Sequence, residues 1–125
     1  MQDYSILITD DDAGVRETLR DILIPHGYRT LLAESGEEAI DIVRDHQIHI
    51  ALLDMHMPRL SGLETLAAFR QMRASVPAIL ITGACDENLM RRALSEQAYC
   101  VLEKPVSRHV VIHVVHRVLR KFYSN

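Results

Sequence analysis

The sequence predicts an α/β fold: a five-stranded parallel sheet in the order 2-1-3-4-5, with five helices covering both faces. Three observations carry that prediction. Short aliphatic runs alternate strictly with stretches of helical periodicity along all 125 residues, and β-then-α alternation implies a parallel sheet built by right-handed crossovers. The run Ile48-His49-Ile50-Ala51-Leu52-Leu53 lacks the polar-apolar alternation of a half-wet strand, so it reads as buried. The length suits the five-stranded member of the two common doubly wound orders, which sets strands one and three side by side.

Each element has its own signal. Strand one is Ser5 to Thr9. A helix follows from Ala13 to Ile24, with Asp12 as N-cap, Val15, Leu19, Ile22 and Leu23 inward, and Pro25 and Gly27 ending it. Strand two is Tyr28 to Ala33, and Arg29 suggests an edge. Ser35 or Gly36 opens the second helix, whose stripe is Ala39, Ile40 and Val43. Strand three, His49 to Leu53, runs into Asp54, and Pro58 forbids further strand pairing. Ser61 caps a helix carrying Leu63, Leu66, Phe69 and Met72. Pro77 opens strand four, Ala78 to Ile81, which delivers Thr82 and Gly83. Asp86 caps a helix bearing Leu89, Met90, Ala93 and Leu94. Strand five is Tyr99 to Leu102. Ser107 caps the last helix, where Val110, Val111, Val114, Val115, Val118, Leu119 and Phe122 recur at helical spacing. So many β-branched residues form a poor helix alone, so packing must hold it. With Ile112 the stripe is broader than one covering face needs, and part of it is expected to meet a partner.

Composition narrows the function. Residues 1–125 are expected to form one domain, and a domain of this size buries roughly two-thirds of its unfolded surface. The net charge of -3 argues against direct nucleic-acid binding, which favours a basic face. No apolar run approaches the roughly 20 residues of a membrane span, and Met1-Gln2-Asp3-Tyr4 lacks the basic start of a secretory signal. Cys85 and Cys100 form neither a CxxC pair nor a disulfide framework, so two reduced thiols in a cytoplasmic protein are expected.

The chemistry gathers at the strand ends. If strands one, three and five run parallel, their carboxyl ends bring Asp10, Asp11, Asp54 and Lys104 to one rim. Two carboxylates about 4 Å apart repel by about 4 kcal/mol at an effective dielectric near 20. Three therefore raise one another's pKa or recruit a cation, and a hard divalent ion, Mg²⁺ foremost, is the natural neutraliser. With Lys104 alongside, the rim suits an anion that arrives with a metal.

Taken together, Asp10-Asp11, Asp54 with Met57-Pro58 and Gly62, Thr82 after an aliphatic strand, and Lys104-Pro105 make the sequence resemble the bacterial response-regulator receiver family, with its CheY-like, flavodoxin-like fold, from Ile6 to about Phe122. The resemblance implies two-component signalling. Asp54 would be the phosphoacceptor, taking a phosphoryl group from a sensor histidine kinase or phosphotransfer protein. Asp11, Asp54 and the His56 carbonyl would ligate Mg²⁺, with Asp10 acting through a water. Lys104, the Thr82 hydroxyl and the Gly83 N–H would hold phosphoryl oxygens, with Thr82 also the first element of the switch. Such a module catalyses its own phosphorylation and dephosphorylation but turns over no external substrate.

The sequence departs from the family pattern at Val101, where an aromatic usually stands three residues before the lysine and follows the threonine inward. Tyr99, expected on the same face, is the nearest aromatic, and phosphorylation is expected to proceed without an aromatic switch. His56 is an uncommon residue two places after the acceptor. Arg91-Arg92 and Arg117, Arg120 and Lys121 charge the last two helices, and in this family the fourth helix, fifth strand and fifth helix commonly form the partner face; a homodimer there is expected. His109, His113 and His116 have a spacing that could bind metal, but exposed helix-face histidines are the expectation, as for His46 and His49. Met55 and Met57 are expected to pack beneath the Asp54 loop. The rival readings are a Mg²⁺-dependent phosphatase with an aspartyl nucleophile and an FMN binder. The first should carry a second Asp where His56 stands and a cap insertion; the second needs a phosphate loop where this chain has three carboxylates.

Overall fold

The computed structural model describes Asp3 to Ser124. In chain order the elements are β1 (Ser5–Thr9), α1 (Ala13–Leu23) with a 3₁₀ turn (Ile24–His26), β2 (Arg29–Ala33), α2 (Gly36–Asp45), β3 (Ile50–Asp54), α3 (Gly62–Gln71), β4 (Ala78–Thr82), α4 (Glu87–Ser95), β5 (Cys100–Glu103) and α5 (Arg108–Tyr123). The strands are all parallel in the order β2-β1-β3-β4-β5, so Arg29 does lie on an edge strand. Strands β2, β3 and β5 begin one residue later than the sequence predicts, and β3 keeps Asp54 as its last paired residue opposite Ile81.

The sheet separates two apolar layers. Leu7, Ala51, Leu53, Ala78 and Leu80 face a cluster with Leu66 and Phe69 of α3 and Leu89 and Ala93 of α4. Ile6, Ile8, Leu52, Ile79 and Ile81 face Leu19, Ile22 and Leu23 of α1 and Val111, Val115, Val118 and Leu119 of α5. Burial of those four aliphatics holds a helix whose intrinsic propensity is poor. Side-chain caps start every helix: Asp12, Ser35, Ser61, Asp86 and Ser107 each accept the N–H three residues on. Ser61 and Glu64 complete a reciprocal capping box.

Three packing expectations need correction. Met72, Met90 and Leu94 are exposed, Leu94 by 70%. Only Leu89 and Ala93 of the predicted α4 stripe turn inward, because a nine-residue helix covering a sheet edge buries a narrow strip. His49 is half-buried: its Nδ1 accepts the Ser5 N–H at 2.9 Å, and its ring meets Tyr4 and Tyr123 edge-on with centroids 5.1 Å away. Tyr99 does not share the face of Val101. It packs with the α1–α5 layer and against the ring of Phe122, while Val101 faces the opposite layer, because Tyr99 precedes the first residue of β5 and strand alternation does not extend to it. Met55 and Met57 lie buried under the loop after Asp54, as expected.

Candidate functional site

Adjacency of β1 and β3 puts two acidic segments at one end of the sheet. After Thr9 the chain holds its line for one more residue, because the Asp10 N–H donates to the Ala33 carbonyl at 3.1 Å. The Asp10 side chain is then fixed twice over. Its Oδ1 accepts the Asp12 N–H at 2.9 Å and its Oδ2 accepts Lys104 Nζ at 3.1 Å. Arg16, one turn into α1, donates to the Asp10 carbonyl at 2.7 Å. Asp10 is 2% exposed, Asp54 4%, and Asp11 lies open to solvent.

Asp54 owes its position to a backbone turn that is tightly specified. Met55 N–H donates to the Ile81 carbonyl and Gly62 N–H returns to the Met55 carbonyl, folding the loop over the strand end. A Cβ on Gly62 would stand 2.6 Å from the Asp54 carbonyl oxygen, so only glycine permits this approach. Lys104 arrives from the far side: its N–H donates to the Thr82 carbonyl at 2.7 Å, and its Nζ reaches Asp54 Oδ1 at 3.2 Å. Thr82 ends β4 fully buried, its hydroxyl donating to the Ala84 carbonyl at 3.1 Å and accepting the Ala84 N–H at 3.3 Å. Gly83 is exposed with open space where a side chain would go, and His56 is exposed at the rim.

The electrostatics follow from burial. Desolvation and the Asp10 carboxylate push the Asp54 carboxyl up from its ordinary value, against Lys104 and the His56 N–H, which pull it down. Burial alone would lower Lys104; the contacts with Asp10 and Asp54 outweigh it and hold the ammonium above its usual range. Asp10, Asp11 and Asp54 each offer an oxygen within 4.8 Å of the others. Three carboxylates against one ammonium leave two negative charges, in an all-oxygen donor set of the kind Mg²⁺ takes. The residues therefore fit a divalent ion. Among the described residues, His109, His113 and His116 form no comparable ligand set.

Every predicted rim residue converges here, whereas the switch position Val101 packs beneath, half-buried in the α3–α4 layer. Two contributors were missed. Arg16 is legible only as a residue one turn after a cap, and Glu103, whose Oε2 accepts the Cys85 N–H at 3.4 Å and so ties the loop after Thr82 to β5, looked like the end of a strand.

A family model described as the response regulator receiver domain matches residues 6–116. Response regulator RR06 of Streptococcus pneumoniae is 29% identical over 119 residues, which cover 95% of this chain and 54% of the relative. Transcriptional regulatory protein FixJ of Rhizobium meliloti is 30% identical over 117 residues, covering 94% and 57%. The chain thus spans about half the length of the curated relatives it matches. A structure titled FixJ-N superposes with TM-score 0.86 at 30% identity, covering 94% of each chain. A CheY-like receiver domain from Methanospirillum hungatei reaches TM-score 0.91 with 96% of each chain covered; at 24% identity it speaks for the fold alone.

Proposed function

The chain belongs to the response regulator receiver domain family, a module of two-component signalling, and on that premise we propose that Asp54 accepts a phosphoryl group from a phosphohistidine on a sensor kinase or phosphotransfer protein in the cytoplasm. The observation that carries the reading is the convergence of Lys104 on Asp54, at 3.2 Å, beside two further carboxylates. Asp54 attacks the phosphorus with a carboxylate oxygen; the new P–O bond forms as the P–N bond to the imidazole breaks, and the imidazole leaves with its electron pair. Lys104 exchanges its contacts with Asp10 and Asp54 for a phosphoryl oxygen, placing fixed positive charge where negative charge gathers. The Thr82 hydroxyl lets go of the Ala84 carbonyl and donates to a second oxygen, with the Gly83 N–H alongside. Asp11, Asp54 and the His56 carbonyl would hold Mg²⁺, with Asp10 assisting; when bound, the ion supplies neutralisation of the rim and of the transferred group.

Phosphorylation adds about -1.5 to -2 charge at this rim. The Thr82 move drags the loop to Cys85, and Glu103 carries it to β5. Tyr99 packs against Phe122 on the other layer, which supports a switch through Thr82 and Val101 without an aromatic rotation. The output face is then α4, β5 and α5, where Met90, Leu94 and Phe122 stand exposed and would meet a second copy. On this reading the module catalyses only its own phosphorylation and dephosphorylation and turns over no external substrate. Incubation with acetyl phosphate and Mg²⁺, followed by intact mass, tests the reading. A phosphate-sized gain in the wild type and none in Asp54→Ala is expected; equal labelling of both would overturn it.

A further inference from the structure

Outside the acidic rim, the most unusual surface is the outer face of α5. The helix from Arg108 to Tyr123 holds Arg108, Arg117, Arg120 and Lys121 and no acidic residue, so the chain's net charge of -3 is a +4 helix on a remainder of -7. Lys121 turns aside, its Nζ 5.5 Å from the Tyr99 ring centroid and 5.4 Å from that of Phe122. The three arginines instead line a groove of about 640 Å³ together with His109, His113 and His116, and the 3₁₀ turn after α1 adds His26 from the other side. No carboxylate lines it. Among the described residues none of the three arginines has a carboxylate within 4 Å, a state they share with Arg29, Arg70, Arg73, Arg91 and Arg92; what sets them apart is that all three line one groove. One wall is held in place, since the His116 ring meets Tyr28 edge-on at 6.3 Å.

We propose that this groove binds a compact polyanion of the oligophosphate class. Guanidinium forks match phosphate oxygens bidentately, and imidazoles add N–H donors. From Arg108 to Arg120 the face runs about 18 Å at 1.5 Å per residue, room for several linked phosphates. A protein partner would want a buried apolar or aromatic anchor, and Ile112 is the sole apolar lining residue. In α2 of a second copy Arg44 already pairs Asp41 and Asp45 and Arg59 pairs Glu37, which leaves Glu38 as that helix's one carboxylate without an ion pair among the described residues. A long nucleic acid would meet the -7 remainder and be repelled. The groove is independent of the phosphoacceptor reading and stands or falls without it.

Calorimetric titration and ¹⁵N amide shift mapping, in metal-free buffer, test the assignment with tripolyphosphate as probe. Binding should shift residues 26 and 108–120 and weaken by about tenfold or more in Arg117→Gln/Arg120→Gln, while that exposed double variant is still labelled by acetyl phosphate as the wild type is. No binding, unchanged affinity in the double variant, or shifts centred on Asp54 and Lys104 would overturn it. Equal affinity for a tetraglutamate peptide would assign the groove to acidic peptides instead. Tighter binding of a short oligothymidylate would assign it to nucleic acid.

Discussion

Replacing Lys104 by methionine removes the ammonium while keeping an unbranched side chain of similar reach. The ammonium lies 3.1 Å from Asp10 and 3.2 Å from Asp54, and the lysine side chain is 29% exposed. A unit-charge contact near 3 Å amounts to about 5 kcal/mol at an effective dielectric of 20, before desolvation and screening. Measured losses on stranding one partner of a buried pair run about 3–5 kcal/mol. Two features lower that figure. Water reaches nearly a third of the lysine side chain, and a stranded carboxylate can take up a proton, which for an ordinary pKa near 4 costs about 4 kcal/mol at pH 7. Asp54 begins with its carboxyl already pushed up by burial and Asp10, so its proton costs less. The expected loss at pH 7 without divalent ions is therefore about 2–3 kcal/mol. Urea unfolding in chelator should show it as a midpoint lower by about 1–2 M. The sign with pH is fixed by the raised carboxyl: its destabilising charge is absent below the unfolded pKa near 3.9 and grows as pH rises through the folded value, so the deficit shrinks on acidification. A variant as stable as the wild type at pH 7 in chelator would refute the idea that Lys104 neutralises this rim.

Gly62→Ala should cost about 1–3 kcal/mol in thermal or urea unfolding, because its Cβ would enter the Asp54 carbonyl at 2.6 Å; an unchanged midpoint would contradict that contact. Burial lowers the His49 pKa, and its Nδ1 must stay unprotonated to accept the Ser5 N–H. Its contribution to stability is thus present above the unfolded value near 6.5 and lost as pH falls toward the folded one, so wild type should lose more stability than His49→Asn between pH 7 and 5 by chemical unfolding. Tyr123→Phe removes the hydroxyl that donates to the His49 carbonyl at 2.7 Å, and should cost about 1 kcal/mol in the same assay.

Strand order, helix caps and the rim were legible because they follow from periodicity and from residue types with narrow uses: a capping Asp or Ser, a carboxylate at a buried strand's end, a proline after it. Asp10, Asp54 and Lys104 could be brought together on paper because parallel strands share a carboxyl end. What escaped depends on contacts across the sequence. His49 looks like a surface residue until β1 and α5 supply Ser5 and Tyr123 as neighbours. The side of Tyr99 turns on whether β5 begins there or one residue later. Arg16 and Glu103 act through backbone groups, which leave no mark in residue type. The exposed faces of α4 and α5 are equally opaque, since an apolar or basic residue reads the same whether it meets water, a helix or a ligand.

The central claim is that a single side chain, Asp54, carries the transferred phosphate as an acyl phosphate. Borohydride reduction of protein labelled with acetyl phosphate and Mg²⁺, followed by peptide sequencing, tests it most directly, because reduction converts an acyl-phosphorylated aspartate into homoserine. Homoserine at position 54, and its loss when Mg²⁺ is chelated before labelling, is the predicted result. Homoserine at position 10 or 11, or none anywhere in labelled protein, would contradict it.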